Sequence, residues 1–150
     1  MEQSNALPGT GPIPTLLALL VCESVIHDAE TQKKTLVGLF GKLSAFALPV
    51  LINSIGLYAK LVEGAGKYAF KIRVVSLADE SVLFEISQMG DWVQPELPLE
   101  FGVNIRGLPI NSFGDYEFQL FANDIYLGRA VFSVDKLTLP LAPPPGPGEG

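Results

Sequence analysis

Apolar and polar residues alternate with a period of two along most of this chain, the pattern of strands that bury one face. The alternation is clearest from Phe113 to Lys136. Tyr116, Phe118 and Leu120 alternate there with Glu117 and Gln119, and Asn123-Asp124 supplies a two-residue turn. Their short polar side chains tolerate the positive φ values that a tight hairpin requires. A two-residue loop sets Ala122 opposite Ile125 but leaves Arg129 opposite Phe118. One extra residue at Leu127–Gly128 instead brings Ala130, Phe132 and Val134 onto the buried face, and glycine suits the left-handed position of a bulge.

The same reading carries back along the chain. A first strand is expected over Leu16–Ile26 and a second over Lys34–Phe40, paired as a wide hairpin across the polar stretch His27–Lys33. Gly38 marks a bulge or a close backbone approach in the second strand. Leu43–Ser54, interrupted by Pro49, reads as a crossover between sheets with Phe46 and Leu48 as plugs. Further strands follow at Ile55–Val62, Tyr68–Val74, Ser81–Ser87 and Leu99–Arg106. In the Ser81–Ser87 strand, Val82, Phe84 and Ile86 are expected to face inward and Glu85 outward. Gly90–Pro98 reads as an irregular loop holding the single tryptophan, Trp92.

Short strands separated by Gly, Pro, Asp and Asn turns, with no helical stretch, predict an all-β fold. The expected architecture is an immunoglobulin-like or C2-like two-sheet Greek-key sandwich of about seven to eight strands, with a closed barrel as the alternative. Tyr116, opening the penultimate strand after Gly114-Asp115, fits the tyrosine corner of such sandwiches. The domain is expected over residues 15–137, between a disordered Pro/Gly-containing segment at 1–14 and a disordered Pro/Gly-rich tail at 138–150.

Composition narrows the partners. Apolar residues make up 48% of the chain and charged ones only 17%. That balance leaves more grease than one core needs, so a homo-oligomer or a protein partner is expected through a sheet edge or an apolar face. The net charge of −6 comes without a basic stripe, which argues against nucleic acid and against acidic membranes. Leu16–Cys22 is too short to span a bilayer and has no basic region before it. A lone cysteine cannot form an internal bridge, so a cytoplasmic setting is expected.

Little in the sequence suggests catalysis. Cys22 and His27 fall on opposite faces of an extended strand, about 16 Å apart, too far for a nucleophile and its base. Cys22 reads as a small core residue and His27 as a turn residue. One His and one Cys do not make a zinc site, and the loop acids Asp28, Glu30, Asp79, Glu80, Asp91, Asp115 and Asp124 show no dense calcium loop. Glu85, Glu100 and Glu117 lie on polar strand faces and read as solubilising residues. Trp92 reads as a cap over the core or as an exposed anchor, and with Tyr126 it forms the candidate interaction surface. No cofactor or metal is expected, and no enzyme.

The segments CESVIHDAETQKKTLVGLFGKLSAFALP, LYAKLVEGAGKYAFKIRVV and GDYEFQLFANDIYLGRAVFSV resemble an uncharacterised bacterial family of small all-β proteins, a domain of unknown function. Its pattern falls on Cys22, Val25 and Ile26; on Thr35, Leu36, Val37, Gly38 and Phe40; on Gly66 and Tyr68; and on Gly114, Tyr116 and Phe118. The resemblance implies one sandwich over residues 16–136 and brings no activity or ligand with it. The function expected from the whole is a non-enzymatic protein-binding or assembly module. The alternative is a small-ligand-binding or hydrolytic sandwich using loop carboxylates around Asp91, Asp115 and Glu117.

Overall fold

The structure, a computed structural model, describes residues 11–138. Nine strands run in order: β1 Thr15–His27, β2 Lys34–Leu39, β3 Lys42–Ala45, β4 Val50–Val62, β5 Gly66–Ser76, β6 Val82–Trp92, β7 Leu99–Ile110, β8 Gly114–Ala122 and β9 Ile125–Lys136. They form a four-stranded sheet in the order β2-β1-β4-β7 and a five-stranded sheet in the order β3-β9-β8-β5-β6. In the immunoglobulin scheme β4 and β7 stand at positions B and E, β5, β8 and β9 at C, F and G, and β6 at C′. Among the described residues no strand occupies the D position beside β7.

The alternation that predicts the strands also builds the core. Ile55, Leu57, Ala59 and Leu61 of β4 face Tyr68, Phe70, Ile72 and Val74 of β5 across the sandwich, all buried. Phe118 and Phe132 are fully buried, and Phe132 contacts both Tyr116 (5.6 Å between ring centroids) and Phe118 (5.8 Å). Burying one such ring stabilises the fold by roughly 1.5–3 kcal/mol. The Tyr116 hydroxyl donates to Ser112 O (2.5 Å), four residues upstream, completing the tyrosine corner.

The closing hairpin has the expected bend and bulge. Asn123 (φ 51°) and Asp124 (φ 64°) both adopt positive φ, Ala122 pairs with Ile125, and the register shifts so that Leu120 meets Gly128. The reason for Gly128 differs from the expected one, since its φ is not left-handed. A side chain there would stand 2.5 Å from Leu16 Cδ2, so the glycine makes room for β1 of the facing sheet.

Five expectations need correction. The described residues form nine strands rather than about seven to eight, because the crossover contains β3, which pairs in parallel with β9 (Lys42↔Ser133 to Ala45↔Lys136). Phe46 is no plug; it is 61% exposed, while Leu48 packs partly against the core. The strand expected at Ile55 begins at Val50, where Val50 pairs with Ile110. The strand expected to end at Ser87 continues to Trp92, taking in the first part of the expected loop. As the outermost strand of its sheet it leaves Val82 exposed, and Ile86, although it faces inward beside Ile72, is only partly covered.

Residues 1–10 and 139–150, which hold most of the two expected disordered ends, lie outside the described residues. Residues 11–14 pack on the domain: Tyr68 Oη donates to Pro12 O (2.5 Å), and Pro14 is buried.

Candidate functional site

On one side of the sandwich, both sheets end in strands with no neighbour among the described residues, β6 in one and β7 in the other. The sheets gape between them. Phe70 and Ile72 of β5, Ile86 and Gln88 of β6, and Phe101 and Val103 of β7 line a slot of 180 Å³. Ile86 points into it because it pairs with Ile72, whose side chain lies in the core. Glu85 points the other way and receives a hydrogen bond from Arg73 Nε (2.7 Å). Among the described residues, Gln88 is the one polar side chain lining the slot.

The outer face of the four-stranded sheet is shaped by a different device. Beyond Cys22, β1 leaves β4 and crosses toward β7, passing over Gly56, whose missing Cβ would stand 3.2 Å from Ser24 Cα. Val25 settles over Gly102, where a Cβ would stand 2.4 Å from Val25 Cγ1. Asn104 of β7 then clamps the crossing chain at both main-chain groups. Its Oδ1 accepts from Val25 N (2.8 Å) and its Nδ2 donates to Val25 O (2.9 Å). Nearby, the Tyr58 hydroxyl donates to Glu100, and burial together with that carboxylate pushes its pKa up to about 12. The phenol therefore stays protonated and donating across the ordinary pH range.

On the opposite side of the sandwich, β2 covers β1 only from Cys22 onward, and β3 covers β9 only from Ser133 onward. Among the described residues, Thr15–Leu20 therefore present an edge with no neighbouring strand and no charged side chain, and Leu17, at the β1 bulge, is 56% exposed. A shallow apolar trough of 440 Å³ lies alongside, lined by Leu19, Leu20, Leu39, Phe40 and Val131 among others.

The residues singled out from sequence do not come together. Trp92 ends β6 and is 3% exposed, so it caps the core and is not an exposed anchor. Tyr126 is 49% exposed, with its ring edge-on to Phe121 at 5.7 Å. Lys71 (4.9 Å) and Arg73 (5.3 Å) also lie over the Phe121 ring. Of the expected pair, Tyr126 is exposed and Trp92 is not.

The loop acids do not converge either. Asp91 pairs with Lys67 at one end of β5, while Asp115 adjoins Tyr116, which pairs with Ser76 at the other end. Nine residues of strand separate these ends by roughly 30 Å. Glu117 is buried on the outer face of β8, receiving hydrogen bonds from Arg129 Nη1 (3.2 Å) and Gln119 Nε2 (2.7 Å). Glu100 belongs to the other sheet. No group of three or more His, Cys, Asp or Glu side chains that would hold a metal ion occurs among the described residues.

Where the β5–β6 turn meets the β7–β8 loop, a polar hollow of 210 Å³ is bordered by Ser76, Asp79, Ser81, Asn111, Ser112 and Tyr116. The Ser81 hydroxyl (2.7 Å) and main-chain N–H (3.0 Å) hold the Asp79 carboxyl below the usual range. This hollow has one carboxylate and no partner acid or base, and its tyrosine hydroxyl is engaged by Ser112. Cys22 is buried, its thiol faces Ser24 O (3.3 Å), and burial pushes its pKa up, the reverse of what a nucleophile needs.

A family profile described as "Family of unknown function (DUF6941)" matches residues 17–135. The chain belongs to this family. No curated protein matches the DUF6941 chain. Among solved structures it is similar to the alkylpurine DNA glycosylase AlkC of Pseudomonas fluorescens bound to DNA containing an abasic-site analogue. That likeness has 12% identity and a TM-score of 0.46 and covers 81% of this chain. The chain spans only 30% of the glycosylase's length. It is also similar to an immunoglobulin-like protein of Pseudomonas aeruginosa, at 14% identity and a TM-score of 0.39, covering 84% of this chain and 99% of that one. No helix of the described residues is long and apolar enough to cross a membrane.

Proposed function

We propose that this DUF6941 chain is a non-catalytic protein-binding module that takes up an extended segment of a partner along β6. One observation carries the reading. β6 is an eleven-residue edge strand without lysine or proline, and it stands over an apolar slot that its own sheet does not fill. Natural edge strands are commonly blunted by lysine, proline or cover, because their free N–H and C=O groups are templates for another strand. A strand added here would satisfy those groups and place alternate side chains in the slot.

Selecting heptapeptides from a displayed random library tests this. Binders are expected to shift the amide resonances of β6 and to lose binding to Ile86→Asp, a half-exposed edge substitution whose fold is checked by circular dichroism. Binders that hold Ile86→Asp as tightly as the natural chain would overturn the reading.

A second reading, self-assembly through β1, is favoured by the charge-less Thr15–Leu20 edge, which has no neighbouring strand among the described residues, and by its apolar trough. Edges of that composition are association-prone. Light scattering on a sizing column is expected to show a dimer that Leu20→Lys returns to monomer. A natural chain that stays monomeric at high concentration would remove this reading and leave the β6 proposal intact.

A further inference from the structure

We infer that the segment taken up by β6 alternates a large apolar residue with basic residues, an inference that rests on the strand-uptake reading. Two observations on opposite faces of β6 lead to it. Toward the core, the slot measures 180 Å³. An apolar cavity of about 150 Å³ is known to hold one benzene, so the space suits a single ring-sized side chain. Its lining carries no charge, and Gln88 alone is polar. An ionised side chain placed there would lose its hydration with no compensating partner.

Toward the outside, the edge is acidic. Between Val74 and Ile105 the chain carries Asp79, Glu80, Glu85, Asp91, Glu96 and Glu100 and no lysine or arginine. Glu85 and Asp91 lie on the outer face of β6, opposite Arg73 and Lys67 of β5. The cations of this region therefore stand one strand in; Arg73 Nε holds Glu85 Oε1 (2.7 Å), Asp91 forms no ion pair among the described residues, and the outer rim of β6 carries no cation of its own. Opposite charges across a strand pair attract, and like charges repel. Successive residues of an added strand face alternately inward and outward. A segment that answers both faces has its large apolar residue inward and lysine or arginine at the flanking outward positions.

The test uses two synthetic, fluorescently labelled heptapeptides. One alternates lysine with a central phenylalanine and small apolar residues; the other has glutamate in place of lysine. Binding is read by anisotropy at low and moderate salt. The lysine peptide is expected to bind at least about tenfold more tightly than the glutamate peptide, a difference of about 1.4 kcal/mol. Its affinity is expected to weaken with salt. Val103→Phe, which fills the slot from β7 without altering β6, is expected to lower affinity about tenfold or more. Glu85→Gln combined with Asp91→Asn is expected to abolish the preference for lysine.

Equal binding of the two peptides would overturn the charge inference while β6 uptake stands. Undiminished binding to Val103→Phe would overturn the ring-in-slot inference. Failure of both peptides, with library-selected peptides still bound along β6, would overturn the proposed partner chemistry alone. Failure of every peptide at β6 would overturn the strand-uptake reading itself.

Discussion

Trp92→Ala is expected to lower the stability of the domain by about 3–5 kcal/mol, the range for removing a buried aromatic ring. The ring is almost fully enclosed, with Tyr68 at 6.0 Å on one side and the glycine backbone of Gly64 on another. A Cβ on Gly64 would stand 2.1 Å from Trp92 Cζ3, so nothing nearby is free to collapse into the space. The indole Nε1 also donates to Leu97 O (3.0 Å), which ties the β6–β7 connection to the core. Urea titration is expected to show a lower midpoint at unchanged slope. Trp92→Phe should recover most of the loss, because it restores ring packing and forgoes only the hydrogen bond, worth about 1 kcal/mol. A loss below about 1 kcal/mol for the alanine variant would contradict the packing role. Gly64→Ala tests the same contact from the other side and is expected to cost about 1–3 kcal/mol by overpacking.

Asn104→Ala is expected to cost about 2–4 kcal/mol, an unusually large effect for an amide on the outer face of a sheet. The side chain stands in for a strand, satisfying both the N–H and the C=O of Val25 where β1 has left its neighbour β4. Removing it leaves two main-chain groups under a packed valine without partners, at about 1–3 kcal/mol each before water re-enters. Asn104→Asp separates the two bonds: the acceptor for Val25 N–H remains, while a carboxylate is set against Val25 O. Hydrogen exchange at Val25 N–H provides the local readout. Protection there should collapse in Asn104→Ala and survive in Asn104→Asp, while the global stability of both variants falls. Unchanged protection in the alanine variant would show that the arm is held by Val25 packing over Gly102 alone.

Both residues show where sequence reasoning ran short. Trp92 lies among Gly90, Pro95 and Pro98, and that local composition reads as a loop. Its strand character comes from pairing with Gly66 on β5, a partner 26 positions away in the chain. Asn104 sits on the polar side of a cleanly alternating strand, where asparagine ordinarily meets water. Only the passage of β1 over Gly56 and Gly102 gives it a backbone to hold. A sequence signal was present in Gly102, since a glycine at the centre of a regular strand marks a close approach of another backbone.

β3 was hidden for a related reason. Four residues are too few for a periodic signal, and a parallel strand takes its register wholly from a distant partner. The slot was legible in its parts but not as a whole. Ile86 reads as inward-facing, and it lines the slot with Phe101 and Val103 of the alternating strand Leu99–Arg106. That the sheets gape there follows from β6 and β7 both being outermost, a property of strand order rather than of either strand.

Which stretches extend, which face of most strands is apolar and how the final hairpin turns are all legible in the order of the residues. Each of these rests on contacts between near neighbours or on the period of a single strand. The folded arrangement alone sets which strands lie at the edges, encloses Trp92 and scatters the acids. It also decided that an apolar slot with an acidic outer rim is left open beside β6. Exposure at an edge is the absence of a neighbour, and no local alternation of residues encodes what is missing from the far side of a sheet.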